Sequence, residues 1–428
     1  MKNRAVLKML LLFYWIFPTF YLHADALTEL KNQVAEQNQK INELQVRLSQ
    51  YEKDQKKQDE KMEKLVAEIP DKEFGLPETL KWLEKIKIYG DLRFRFEHID
   101  SEANKNNKLA WKQGRSRARI RARIGLNADV TDEWALGVRI ATGSDDPVST
   151  NQTLDEGFSS KDIKLDMAFV DWHPECCKGL HVIGGKMKNP FYTVGKNQLI
   201  WDGDLTPEGL AGTYQFAFLE GQEIFINGGG FWVEENSSDS EQSLWGIQTG
   251  LKQNIGQGIH ALGGVSYFDY GNVEGRETIY DSTDGFGNTT DNAGLYVNDY
   301  NIVELFAEVG GFKVAGMPLG FYGNFVCNTG ADTCENQGWL VGTTLNKAKK
   351  PGSWQFGYNY RDLEKDAVIG AFSDSDFIGG GTDGKGHKLN FKLQIAKNVQ
   401  SAVTFLINDV GDEQKDYQRL QVDLSLKF

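Results

Sequence analysis

Arginine stands at every second position from Arg115 to Arg123, and the intervening Ala118, Ile120, Ala122 and Ile124 are apolar. A guanidinium stays charged and offers a rigid fork of donors to carboxylate or phosphate, so this spacing suits the recognition of anions. Side chains alternate between faces in a strand, which gives the segment one basic face and one apolar face continuing through Leu126, Ala128 and Val130. On a helix the same arginines would spread around the cylinder. Arg93 and Arg95 alternate with Leu92, Phe94 and Phe96 just upstream, and Arg139 lies between Val138 and Ile140 downstream. The eight arginines Arg93, Arg95, Arg115, Arg117, Arg119, Arg121, Arg123 and Arg139 therefore form a candidate basic wall, which Asp91, Glu97 and Asp129 offset only in part. A counterweight is present in 188–209, where Trp201 is followed by Asp202, Asp204 and Glu208. If this loop folds against the basic wall, charge and aperture there select which hydrophilic solutes pass.

Paired acids also suit glycoside hydrolysis, but nothing near them supplies a confined sugar site. Of six histidines, His98, His173 and His387 fall at strand ends or turns, while His181 and His260 have no evident neighbouring nucleophile and carboxylate. The inventory does not favour an enzyme, and no cofactor is implied.

The elements that must position these residues are strands. Period-two alternation places them at 86–98, 115–130, 134–142, 162–172, 180–187, 209–219, 222–233, 243–252, 258–270, 300–312, 318–325, 338–346, 353–363, 387–396, 401–408 and 417–428. The last carries Leu420, Val422, Leu424, Leu426 and Phe428 against Arg419, Gln421, Asp423, Ser425 and Lys427. Short connections alternate with mostly long ones such as 143–161, 188–208, 271–299 and 364–386, a parity that a soluble sandwich has no reason to show. Sixteen strands with this parity predict an all-β transmembrane antiparallel barrel over 86–428, short turns and chain ends in the periplasm. In hydrocarbon every backbone group must be paired, so strand 1 should close on strand 16.

Ahead of the barrel, Lys2, Arg4 and Lys8 precede an apolar run from Leu10 to Phe17 and the Ala24-Asp25-Ala26 site, the pattern of a signal peptide over 1–26. Leu27, Leu30, Val34, Gln37, Ile41, Leu44, Leu48 and Tyr51 then recur at steps of three and four, and Gln55, Gln58, Met62, Leu65 and Ile69 keep the register. This predicts a periplasmic α-helical coiled coil over 27–69, about 65 Å long, whose branched residues lean toward a dimer. Pro70 and Pro77 mark a connector over 70–85.

Composition agrees with an exported barrel. The chain has 428 residues, 46 Gly, 25 Phe and a mean hydropathy of -0.46, and barrel walls need only half their residues apolar. The formal charge of -13 argues against nucleic acid as a partner. An exported chain allows disulfides, and a Cys327–Cys334 bridge closing a small loop is expected. Cys176 and Cys177 cannot be paired from sequence, and with only His173 and His181 near them no metal-site spacing appears.

The stretch 184–216 contains Asn189-Pro190-Phe191, Trp201-Asp202-Gly203-Asp204 and Glu208-Gly209. With the Arg-x-Arg strand and terminal Phe428, it resembles the Putative porin family of bacterial outer membranes, akin to 16-stranded general and phosphate-selective porins. The resemblance spans 86–428 and implies passive diffusion, a homotrimer, location in the Gram-negative outer membrane, and a terminal aromatic that serves as an assembly signal. The expected function is a pore for small hydrophilic solutes that prefers anions. The alternative is a structural or binding protein of that membrane, in contact with its lipid, whose coiled-coil stalk reaches toward the cell wall.

Overall fold

The computed structural model describes residues 35–37, 39–51, 53–57, 61, 78–102, 114–235, 237, 240–256 and 258–428. The expected signal peptide, the coiled-coil ends at 27–34 and 62–69, and the connector up to 77 lie outside them. Two compact units are present, divided between Lys81 and Trp82. In the first, the chain is helical wherever it is described between 35 and 57. Ile41, Leu44, Leu48 and Tyr51 form an exposed apolar row on that helix. One chain therefore gives a single helix, and a coiled coil needs a partner on that row.

A 3-10 helix, Glu78–Lys85, precedes the strands. They are β1 (Ile86–Ser101), β2 (Arg115–Asp129), β3 (Trp134–Thr142), β4 (Gln152–Thr153), β5 (Ile163–Trp172), β6 (Leu180–Lys186), β7 (Glu208–Leu219), β8 (Gln222–Glu234) and β9 (Gln242–Gly256). β10 (Ile259–Gly271), β11 (Tyr300–Val314), β12 (Met317–Asn328), β13 (Gln337–Leu345), β14 (Trp354–Leu363), β15 (Gly384–Ala396), β16 (Val399–Val410) and β17 (Lys415–Lys427) follow. β4 is a two-residue strand laid beside β2, and the other sixteen form a closed antiparallel barrel.

Closure comes from β1 and β17, in register from Asp91 opposite Lys427 to Ser101 opposite Tyr417. Phe428 extends the seam by exchanging backbone hydrogen bonds with Gly90 at 3.2 and 3.1 Å. Its ring lies over that glycine, where a Cβ would come within 2.4 Å of the ring. Closure leaves no wall strand without a partner on either side, the condition hydrocarbon imposes on backbone groups.

The alternation read from sequence is the division between outside and inside. Leu92, Phe94, Phe96, Ile124, Val138, Ile140, Val422, Leu424 and Leu426 are exposed on the outer wall. Their neighbours Arg95, Glu97, Arg419, Gln421 and Asp423 are buried inside. Connections at 130–133, 173–179, 220–221, 315–316, 346–353 and 397–398 join strands at one end of the barrel. The long connections, including 143–162, 187–207, 272–299 and 364–383, lie at the other.

The expected Cys327–Cys334 disulfide is not formed, and all four cysteines are free. Cys327 pairs with Gln337 in the β12–β13 ladder and shares the outward parity of exposed Phe321 and Phe325, whereas Cys334 lies in the exposed turn beyond it. Asn328 and Asn336 already close that turn, by a backbone hydrogen bond of 2.8 Å and a side-chain bond of 2.8 Å.

Candidate functional site

Strand register sets the charge pattern inside the barrel. The inward row of β1, Asp91, Arg93, Arg95 and Glu97, faces Arg123, Arg121, Arg119 and Arg117 of β2 in that order. On its other side the same row faces Lys427, Ser425, Asp423 and Gln421 of β17. Arg93 opposite Arg121 and Arg95 opposite Arg119 are like-charge pairs, which destabilise a sheet unless anions are supplied nearby.

Carboxylates supply most of that compensation. Asp91 accepts from Arg121 and Arg123 at 2.8 Å each. Glu97, with no exposed surface, sits between Arg117 and Arg419. Arg95 meets Asp423 at 2.7 Å and Asp376 at 3.0 Å, and Arg139 meets Asp166. Arg93 and Arg119 differ. Arg93 donates to Asn151 Oδ1 at 2.5 Å, and no described carboxylate lies within ion-pair distance of it. Arg119 donates to the Asn151 carbonyl at 3.2 Å and comes no nearer to a carboxylate than 3.9 Å, at Glu97. The Nε of each is buried without a hydrogen-bond partner.

The 187–207 connection turns into the barrel. Apolar residues anchor it: Met187, Phe191, Leu199, Ile200, Trp201 and Leu205 are buried with Phe231 of β8, Leu244 of β9 and Phe268 and Tyr270 of β10. Trp201 is central, stacked on Phe191 at 6.3 Å and edge-on to Phe268 at 5.2 Å. Its tip reaches the far wall, where Tyr192 Oη donates to Glu308 of β11 at 2.7 Å and the Gly195 amide donates to the same carboxylate at 3.0 Å. Gly195 has φ +58°, and a Cβ there would lie 2.5 Å from the Tyr322 ring, so the position needs glycine on both counts.

From this loop Asp204 reaches the arginines, 3.4 Å from Arg121 and 3.3 Å from Arg123, and accepts from the Thr150 hydroxyl at 2.9 Å. Asp202 does not. Its carboxylate accepts the Asp204 amide at 2.8 Å and the Ser375 amide at 2.9 Å, fastening the loop to 364–383. Burial, together with the neighbouring Asp374 and Asp204 carboxylates, pushes the Asp202 carboxyl well above its ordinary value. Glu208 is also apart: it is exposed at the start of β7, shares the outward parity of Leu210 and pairs with Lys186 at 2.7 Å. Of the three loop acids expected against the basic wall, only Asp204 lies there, while Asp202 joins two loops and Glu208 faces outward.

A second inward loop, 364–383, escaped sequence reading because its acids are spaced like those of any surface turn. Asp374 meets Arg361 at 3.2 Å and Lys388 at 3.0 Å, and Asp376 meets Arg95 and Arg419 at 3.0 and 2.8 Å. Burial opposes charge on Asp376, but Arg419, Arg95 and Lys388 outweigh it and hold the carboxyl well below its ordinary value. The 272–299 connection packs onto this loop through Asn288, which donates to the Val368 carbonyl at 2.8 Å.

Two cavities flank the inward loops. One of about 430 Å³ lies toward the long connections and is lined by Arg115, Arg117, Arg119 and Arg419. The other, about 880 Å³, reaches the short-turn end and is lined by His181, Lys196, Gln198, Asp202 and Lys252. A polar interior, an apolar exterior and loops folded into the middle are the layout of a membrane-spanning barrel.

The sequence matches the family model described as Putative porin over residues 100–309 and 326–428. The chain belongs to this family. Among solved structures this porin is similar to OprB of Pseudomonas putida, with 12% identity, 81% of this chain and 96% of that chain covered, and a TM-score of 0.55. OmpF of Salmonella typhi, solved in complex with daunomycin, gives 12% identity, coverage of 80% and 97%, and a TM-score of 0.48. The outer membrane channel DcaP of Acinetobacter baumannii gives 12% identity, coverage of 80% and 97%, and a TM-score of 0.45. At this identity the likeness to OprB shows the fold alone. No curated protein matches the sequence. Family and fold together make the chain an outer-membrane channel protein.

Proposed function

We propose that this porin passes small hydrophilic solutes by passive diffusion and prefers anions at a filter formed by β1, β2 and the 187–207 loop. Arg93 and Arg119 carry the reading, because they end on neutral oxygens of Asn151 while their neighbours are matched by carboxylates. A passing carboxylate or phosphate would find donors there that the protein does not saturate. The field at the narrowest point acts on an ion more strongly than the charge of -13 spread over the whole chain. No chemical step or cofactor is involved. The test is the reversal potential of purified channels in a planar bilayer under a salt gradient. Anion preference is the expected sign, and strong cation preference would refute it.

The exposed row Ile41, Leu44, Leu48 and Tyr51 supports a further role for the helix as a periplasmic stalk joining copies of the chain. The family resemblance suggests a trimer, while the branched residues of the seam lean toward a dimer. Crosslinking of the intact protein in membranes decides between them. A stalk of this kind also suits attachment near the cell wall, and it need not close the barrel.

A further inference from the structure

The β5–β6 hairpin brings together three side chains that sequence spacing keeps apart. Asp171 ends the inward row of β5, His173 follows in the turn, and His181 comes back on β6. His181 Nδ1 lies 2.9 Å from Asp171 Oδ2, and His173 Nδ1 lies 3.7 Å from the same oxygen. One candidate ligand atom from each residue lies within 4.8 Å of the other two. The imidazoles are 5.6 Å apart, centre to centre. His173 Nδ1 is buried without a hydrogen-bond partner, a nitrogen aimed into the cluster that no protein group satisfies.

We propose that Asp171, His173 and His181 form a binding site for a divalent transition cation, typified by Zn²⁺, at the short-turn mouth of the barrel. A tetrahedral zinc with bonds of about 2.0–2.1 Å holds its ligand atoms about 3.3 Å apart. The two distances from Asp171 Oδ2 bracket that spacing, so small side-chain rotations suffice. Two imidazoles and one carboxylate suit zinc, copper or nickel, whereas magnesium and calcium demand all-oxygen shells. Three protein ligands leave a fourth position for water or a solute group. His181 lines the cavity of about 880 Å³, which gives an ion a route to the site. The turn is held independently of any metal: the Glu133 carbonyl accepts the His173 amide at 2.9 Å, and its carboxylate accepts the Glu175 amide at 2.9 Å. Beside it Trp134 of β3 and Trp172 of β5 pack 6.2 Å apart.

The experiment is equilibrium binding of Zn²⁺ to the folded full-length protein in detergent, with Mg²⁺ in excess. One equivalent per chain is expected for the native protein and for Cys176→Ser/Cys177→Ser, with loss of saturable binding in His173→Gln/His181→Gln. The native protein supplies a second readout that needs no variant. Zn²⁺ should shield His173 and His181 from diethyl pyrocarbonate, read by mass spectrometry, and leave His98, His260 and His387 as reactive as before. Absence of stoichiometric binding would overturn the proposal. Retention in the double histidine variant, loss in the double cysteine variant, or shielding of His98, His260 and His387 equal to that of His173 and His181 would also overturn it.

Discussion

Asp204, on a loop between β6 and β7, meets Arg121 of β2 at 3.4 Å inside the barrel. Asp202, two residues earlier, instead holds the Ser375 amide at 2.9 Å. The acids of Trp201-Asp202-Gly203-Asp204 therefore divide into one facing the basic wall and one joining two loops, and they should respond differently to removal of charge. A unit charge about 8 Å from a passing ion in water contributes about 0.5 kcal/mol, of opposite sign for anion and cation, so their permeability ratio shifts by about 1 kcal/mol, roughly fivefold. Asp204→Asn should raise the anion-to-cation permeability ratio roughly fivefold, with a much smaller shift for Asp202→Asn. Reversal potentials at matched gradients provide the measurement, and the difference should shrink in about 1 M salt, where the screening length falls to about 3 Å.

Among the arginines, function and stability should likewise separate. Arg93 has no described carboxylate within ion-pair distance, so Arg93→Gln should lower the anion-to-cation ratio roughly fivefold while leaving the fold intact. Arg419 is buried between Glu97 and Asp376. Removing it leaves the buried Glu97 and the partly buried Asp376 each short of a partner, a loss on the order of 3 kcal/mol. Arg419→Gln should thus appear chiefly as a lower unfolding midpoint in urea. Equal midpoints for the two variants would contradict this division.

Much of the barrel was legible because one period governs every strand. Leu92, Phe94 and Phe96 face out and Arg93, Arg95 and Glu97 face in as a direct result of the strand geometry. The expected bounds 134–142 are those observed for β3, and the other wall strands are displaced at their ends by a few residues. β4 was missed, since two residues carry no period. The site was less legible because it depends on what crosses the lumen. That Trp201 packs on Phe268 while Glu208 stays outside is decided by where the 187–207 chain turns, and no local pattern encodes that. Asp376 reaching Arg95 across 281 positions of sequence is of the same kind.

The helix carries its own test. Leu44 and Leu48 are exposed in a row with Ile41 and Tyr51, and burying each leucine against a partner would contribute about 1.5–3 kcal/mol. Leu44→Asp with Leu48→Asp should abolish association of a peptide covering 27–69 in sedimentation velocity, while the native peptide self-associates. A native peptide that stays monomeric at high concentration would remove the stalk from the proposed function.

Asp202 should give the protein a distinctive dependence on pH. Its carboxyl is raised by burial and by Asp374 and Asp204, so between its ordinary value of 3.8 and its higher folded value the native chain binds a proton that the unfolded chain does not. Stability from this group therefore grows as pH falls through that window and is lost as pH rises through it. Asp202→Asn cannot titrate and should flatten that part of the curve. Its absolute stability should also fall by about 1 kcal/mol, because the amide offers one acceptor oxygen where the carboxyl serves both the Asp204 and Ser375 amides. The comparison is the urea midpoint against pH for the two proteins. Asp376 should not contribute at the same pH, because burial is outweighed by Arg419, Arg95 and Lys388, and its ion pairs persist until the solution is more acidic still. A native curve parallel to that of Asp202→Asn would mean that Asp202 titrates as it does in the unfolded chain.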